Sequence, residues 1–178
     1  MKKNTKKIVT AAGIAAGTAA VASLYAYVTI KALIDTALDR EMPKVMEKAD
    51  KRISGEKSSD EFTNRMESAS ESLAVQPNET VEIIAHDGEK LVGHYFPCEK
   101  PERVIIAFHG WRSSWHRDFG MISDFWYKNN CSVLYVEQRG QNNSSGEYMG
   151  FGLTERFDCL DWLNWEIERC GSDIPVYL

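Results

Sequence analysis

Arg103-Val-Ile-Ile-Ala-Phe-His-Gly-Trp111, followed by Cys131-Ser-Val-Leu-Tyr-Val-Glu-Gln-Arg-Gly140 and a loop closing on Ser144-Ser145-Gly146, is the stretch from which the rest of the chain can be read. Val104 to Phe108 is an unbroken apolar run of strand length, rich in β-branched residues and stopped by His109-Gly110, the pattern of a strand buried on both faces. Cys131 to Val136 repeats it. Between the two runs Phe119, Ile122, Phe125 and Trp126 recur three or four residues apart, which predicts a helix laying that face on the sheet. Strand, helix and strand form a right-handed βαβ unit, and in such units the loops at the carboxyl ends of the strands build the site. His109-Gly110-Trp111 and Arg139-Gly140 fall on those ends.

Working outward, Val81 to Ala85 and Leu91 to Phe96 are two short strands joined through His86-Asp87-Gly88, where Asp-Gly supplies a tight hairpin turn. His86 and His94 read as polar residues of an edge hairpin. Pro77-Asn78 separates this hairpin from a helical stretch marked by Phe62, Met66, Ala69 and Leu73, for which Ser58 and Glu61 form a capping pair. On the other side, Thr154 to Cys170 is expected as a helix with Phe157, Leu160, Asn164 and Ile167 on one stripe. Trp162 and Trp165 are expected to pack, and Gly171 to close the helix. Ile174 to Leu178 reads as a further strand.

The ordered set of strand-His109-Gly110-Trp111, helix, strand-Glu137-Gln138-Arg139-Gly140 with Ser144 and Gly146 following, and a helix opening near Thr154 resembles the first half of an α/β-hydrolase-fold serine hydrolase. The branch it resembles is that of membrane-anchored bacterial serine aminopeptidase-like and esterase-like hydrolases, over residues 81–178. The implied fold class is α/β: a partial α/β-hydrolase fold, with an opening β-hairpin and then βαβαβ of a mostly parallel sheet. The sequence departs from the family's Asp-x-Arg-Gly-His-Gly form, with Glu137 at the acidic position, Gln141 for His and Asn142 for Gly.

Acyl transfer by such an enzyme needs an activated serine, a base, an orienting carboxylate and amide donors for the oxyanion. The resemblance places one donor amide immediately beyond His-Gly, at Trp111. Gly110 allows a close backbone approach, and His109 supports the loop rather than acting as base. Arg139, Gly140, Ser144 and Gly146 shape the loop after the next strand, Arg139 as a structural partner of Glu137 or of carbonyls. The nucleophile is expected in a G-x-S-x-G about three residues beyond Leu178, and no such motif occurs in the 178 residues. Ser113 and Ser114 stand at the wrong spacing for it. The chain is therefore expected to be the amino-terminal part of a longer hydrolase.

Composition bounds the partners. With 21 basic and 26 acidic residues in all, and five lysines without an acid in residues 1–34, residues 35–178 carry a net charge of −10, which argues against nucleic acid. Lys2, Lys3, Lys6 and Lys7 precede Ile8 to Ile30, an uncharged run that as a helix spans about 35 Å, enough for a bilayer core of about 30 Å. The lysines put the amino terminus in the cytoplasm and the body outside. Ala20-Val21-Ala22 keeps open the alternative of a cleaved signal peptide and a secreted product. The domains expected are residues 1–33 as anchor, 34–77 as helical stalk or spacer, with Ile34, Leu38, Met42, Val45, Met46, Ala49 and Ile53 in register, and 78–178 as the half domain. No cofactor and no metal is implied, since Cys98, Cys131, Cys159 and Cys170 form no C-x-x-C pair and no G-x-G-x-x-G occurs. The expected function is a membrane-tethered serine hydrolase acting on an ester or peptide substrate. The alternatives are a noncatalytic anchored remnant or interaction protein, or a haloperoxidase, dehalogenase or acyltransferase on the same fold.

Overall fold

In the computed structural model, residues 2–41, 44, 48 and 61–178 are described, with side chains from residue 17 onward. The chain divides into two compact units, Met1–Asp39 and Arg40–Leu178. The first is a single helix, α1 (Lys2–Leu38). Its segment Gly17–Leu38 is long and apolar enough to cross a membrane, with mean hydropathy 1.4. The expected span Ile8–Ile30 is helical throughout, and the helix runs on past Lys31, which pairs with Asp35 one turn later at 2.8 Å. Ile34 and Leu38 of the stalk stripe fall in α1, whereas Met42, Val45, Met46, Ala49 and Ile53 lie outside the described residues, as does Ser58.

The second unit contains α2 (Glu61–Ala74), β1 (Glu79–Ile84), β2 (Lys90–Phe96), β3 (Arg103–Phe108), α3 (Trp115–Lys128), β4 (Cys131–Glu137), α4 (Glu155–Cys170) and β5 (Val176–Tyr177). The five strands form one sheet in the order β1-β2-β4-β3-β5. β1 and β2 form the antiparallel hairpin, β2 meets β4 antiparallel, and β3 lies parallel between β4 and β5. This is the expected mixed α/β sheet, an opening hairpin followed by βαβαβ.

The alternation of side chains along β4 explains why all seven of its residues are buried. Cys131, Val133 and Tyr135 face one side, with Ala107, Trp115 and Leu73. Leu134 and Val136 face the other, with Ile106, Leu91, Tyr95 and the fully buried indole of Trp162. One face is thus covered by α2 and α3, the other by α4.

The stripe read on α3 holds at Phe119 and Trp126 and fails at Ile122 and Phe125, and that on α4 is rotated from the true one. On α3 the buried or packed residues are Trp115, Phe119, Ser123 and Trp126, while Ile122 and Phe125 are exposed. Gly120 and Ser123 sit on the buried side because α2 crosses there: a Cβ at Gly120 would come within 2.7 Å of the Ala69 and Ser70 backbone. On α4 the buried positions are Asp158, Trp162 and Glu166, and Phe157, Leu160 and Ile167 are partly exposed. Trp165 packs beside Trp162 as expected, and Gly171, at φ 80°, closes the helix by donating to the Ile167 carbonyl.

Candidate active site

The sheet turns its parallel strands so that the loops after β3 and β4 leave on the same edge. His109, the first residue after β3, is almost fully buried. Its Nδ1 lies 2.9 Å from the Gly110 carbonyl, and its Nε2 faces two donors, the Gln138 amide at 3.3 Å and the Asn142 side-chain amide at 3.1 Å. A carbonyl on one side and two N–H groups on the other fix a neutral ring with its proton on Nδ1. Burial also lowers the pKa of His109, which favours the same form. With the Nε2 lone pair occupied, this imidazole holds the two loops together and is not placed to take a proton from a substrate.

The turn that follows is fastened at both sides of Trp111. The Gly110 amide donates to Asp118 Oδ2 at 2.6 Å, and the Arg112 amide donates to Gln141 Oε1 at 2.7 Å. Ser113 Oγ donates to the other Asp118 oxygen at 2.5 Å. Gln138 completes the bracing by donating its side-chain amide to the His109 carbonyl. Gln141 and Asn142, the departures from the family pattern, are therefore the residues that tie the β4 loop to the β3 loop. Asp118, one turn into α3, was not singled out from the sequence; its position in the first helical turn, where a carboxylate can reach back to preceding amides, was the available signal.

Arg139 is buried at the base of the second loop, and its partners are not Glu137 or carbonyls. It grips Asp158 of α4 through Nε and one terminal nitrogen at 2.9 and 2.6 Å, and Asp87 of the hairpin turn at 2.6 and 3.1 Å. The hydrogen bond from Arg139 holds the Asp87 carboxyl down to about 2. Glu137 instead meets His94 Nε2 at 2.8 Å and the Asn143 amide at 2.5 Å. Burial alone would raise the Glu137 pKa, and these bonds outweigh it, so the net shift is downward. His94 is thus not an edge residue. β2 is paired on both sides, and the ring stacks on Trp115 at 4.4 Å.

Ser144 is buried, donates Oγ to the Glu137 carbonyl at 2.5 Å and accepts the Val92 amide at 2.9 Å. Gly140 and Gly146 both take positive φ, 68° and 112°, and a Cβ on either would meet backbone or the Arg139 stem within 3 Å. Arg40 reaches the same loop from the other end of the unit, donating to the carbonyls of Ser144 at 2.7 Å and Asn142 at 2.6 Å. The sequence offered no signal for that contact.

A pocket of about 180 Å³ opens between the two loops, lined by His109, Gly110, Trp111, Gln138, Phe151 and Gly152 among others. Among the described residues no serine lines it, and Ser113 outside it is bonded to the Asp118 carboxylate. Ser70 Oγ does meet His116 Nδ1 at 2.9 Å. That pair joins the middle of α2 to the first turn of α3, and neither residue lines the 180 Å³ pocket. A larger hollow, about 520 Å³ between the same helices, is lined by Glu61, Arg65, Asp124 and serines and lies away from the strand ends. His86, Asp158 and Asp161 bring potential ligand atoms within 4.8 Å of one another, but both Asp158 oxygens accept from Arg139, whose positive charge opposes a cation there. All four cysteines are free.

No family model and no curated protein matches the chain. Among solved structures it is similar to an esterase of Pyrococcus furiosus at 26% identity and TM-score 0.48, covering 55% of this chain and 37% of that one. It is similar to an α/β hydrolase from a Penicillium species at 20% identity and TM-score 0.48, covering 57% and 35%. A third similarity, to an α/β hydrolase of Vibrio vulnificus, has 20% identity and TM-score 0.46, covering 76% and 48%. The chain thus spans less than half the length of each of these proteins.

Proposed function

We propose that residues 78–178 form the oxyanion side of a serine hydrolase of the membrane-anchored, aminopeptidase-like or esterase-like kind, tethered by Ile8–Ile30 with its body outside the cytoplasm. The observation that carries this reading is the fastened turn after β3. Asp118 and Gln141 hold the amides on either side of Trp111, so the Trp111 peptide has a fixed place in the wall of the 180 Å³ pocket. In the proposed reaction a serine hydroxyl attacks the carbonyl carbon of an ester or amide, its proton passes to a histidine base, and the carbonyl oxygen becomes an oxyanion. A preorganised amide donor at that oxygen lowers the barrier by about 3 kcal/mol. The nucleophile is assigned to a G-x-S-x-G in sequence following Leu178. Support comes from β5, which runs parallel to β3 and so delivers whatever follows it to the same edge as Trp111.

The test is reaction with a serine-directed fluorophosphonate. A product continuing past Leu178 should be labelled at the serine of a G-x-S-x-G, and the 178-residue chain should remain unlabelled and inert towards an activated acyl ester. Labelling or turnover of the 178-residue chain that disappears in Ser113→Ala would overturn the assignment. An intact stop codon at that point, with no such motif downstream, would favour the noncatalytic anchored protein.

A further inference from the structure

We propose that the loop face at the carboxyl edge of the sheet is a bilayer-contacting surface, and that the pocket in it receives acyl compounds partitioned into the membrane rather than dissolved in water. The surface rests on the membrane-anchor reading above and the observations below; that a substrate enters through it rests also on the hydrolase reading. Trp111, Tyr148, Phe151 and Leu153 are 45, 56, 62 and 70% exposed, and all four lie in the two strand-end loops around the pocket. Large apolar and aromatic side chains gathered on one face, with polar backbone and cations beside them, suit the boundary between headgroups and acyl chains.

The point at which the second unit is joined to the apolar helix lies on this face. Leu38, the last residue of α1, precedes Arg40 by two residues, a reach of at most about 7 Å. Arg40 is bound to the site's own loops. Its amide donates to the Glu147 carbonyl at 2.8 Å, and its guanidinium to the carbonyls of Ser144, Asn142 and Gly146. Arg112, the neighbour of Trp111, donates in turn to the Arg40 and Glu41 carbonyls at 3.4 Å. Arg40, the first residue of the second unit, is therefore bound to the Trp111 loop and the 142–147 loop. With the bilayer around Ile8–Ile30, the eight further residues of α1 to Leu38 add about 12 Å. Such a tether keeps a local surface concentration high without much charge attraction, which matters for a body of net charge −10.

The experiment places the photoreactive residue p-benzoylphenylalanine at Phe151, at Leu153, or at Glu99 in the exposed loop before β3, on the opposite edge. Each full chain is reconstituted in phosphatidylethanolamine–phosphatidylglycerol vesicles and irradiated. Lipid adducts at 151 and 153 should exceed those at 99 at least ten-fold, and Arg40→Gln should cut them several-fold while leaving the near-ultraviolet dichroism of the core unchanged. Equal yields at 99, or none at 151 and 153, would overturn the proposal. Adducts without fluorophosphonate labelling of a product continuing past Leu178 would keep the surface and remove the hydrolase. Labelling without adducts would do the reverse.

Discussion

Glu166 is a carboxylic acid placed where no ion should be. It is fully buried on α4, its Oε1 has no hydrogen-bond partner among the described residues, and the same holds for Trp162 Nε1 one turn earlier. Burial pushes its pKa up to about 7. Because the folded state then keeps a proton that the unfolded chain releases near pH 4.5, stability falls as pH rises from about 4.5 to 7 and stays low above that. Glu166→Gln should therefore raise the melting temperature at pH 8 and change it little at pH 5, with a stability difference of up to about 3 kcal/mol. Thermal melts at the two pH values check this, and an equal shift at both would remove the explanation. Arg139 presents the opposite case, a buried cation with two carboxylates. Arg139→Ala leaves Asp158 charged and buried, and should cost about 3–5 kcal/mol in urea unfolding. Asp87 is more exposed and contributes less; its share is present above about pH 4 and fades as pH falls towards 2.

The helices show where a sequence is readable and where it is not. α2 and α3 approach so closely at Gly120 that Gly120→Val should lower stability by about 1–3 kcal/mol, detectable as a reduced urea midpoint. At Met121, on the outer side of the same helix, Met121→Ala should change little. Strands β3 and β4 could be recognised from the sequence because burial on both faces leaves a continuous apolar run. Apolar residues occur on both sides of α3 and α4, so periodicity found Phe119 and Trp126 but also selected Ile122, Phe125, Phe157 and Leu160. The packing selected Ser123, Asp158 and Glu166, polar residues that are buried because a particular partner or a tight crossing is there. At the site, His109, Gly110 and Trp111 could be located from the strand end. The bonds through Asp118, Gln141, Asn142 and Arg40 depend on contacts between distant segments, which no local pattern encodes.

At the scale of the second unit, the loop after β4 is held at its carbonyls by Arg40, the residue at which that unit begins. Arg40→Gln should increase protease cleavage after Glu147, next to the three carbonyls its guanidinium meets, as read by limited digestion with a glutamate-specific protease and mass mapping. The order of the strands has a consequence for biosynthesis. β2 and β3 are neighbours in sequence but not in the sheet, since β4 inserts between them. A nascent chain that has emerged only as far as Phe108 therefore carries two apolar ribbons with open flanks and nothing to join them. Closure waits for Cys131–Glu137, so the ribosome must finish the middle of the sheet after its sides, and a pause in translation before that point would leave the chain most dependent on chaperones.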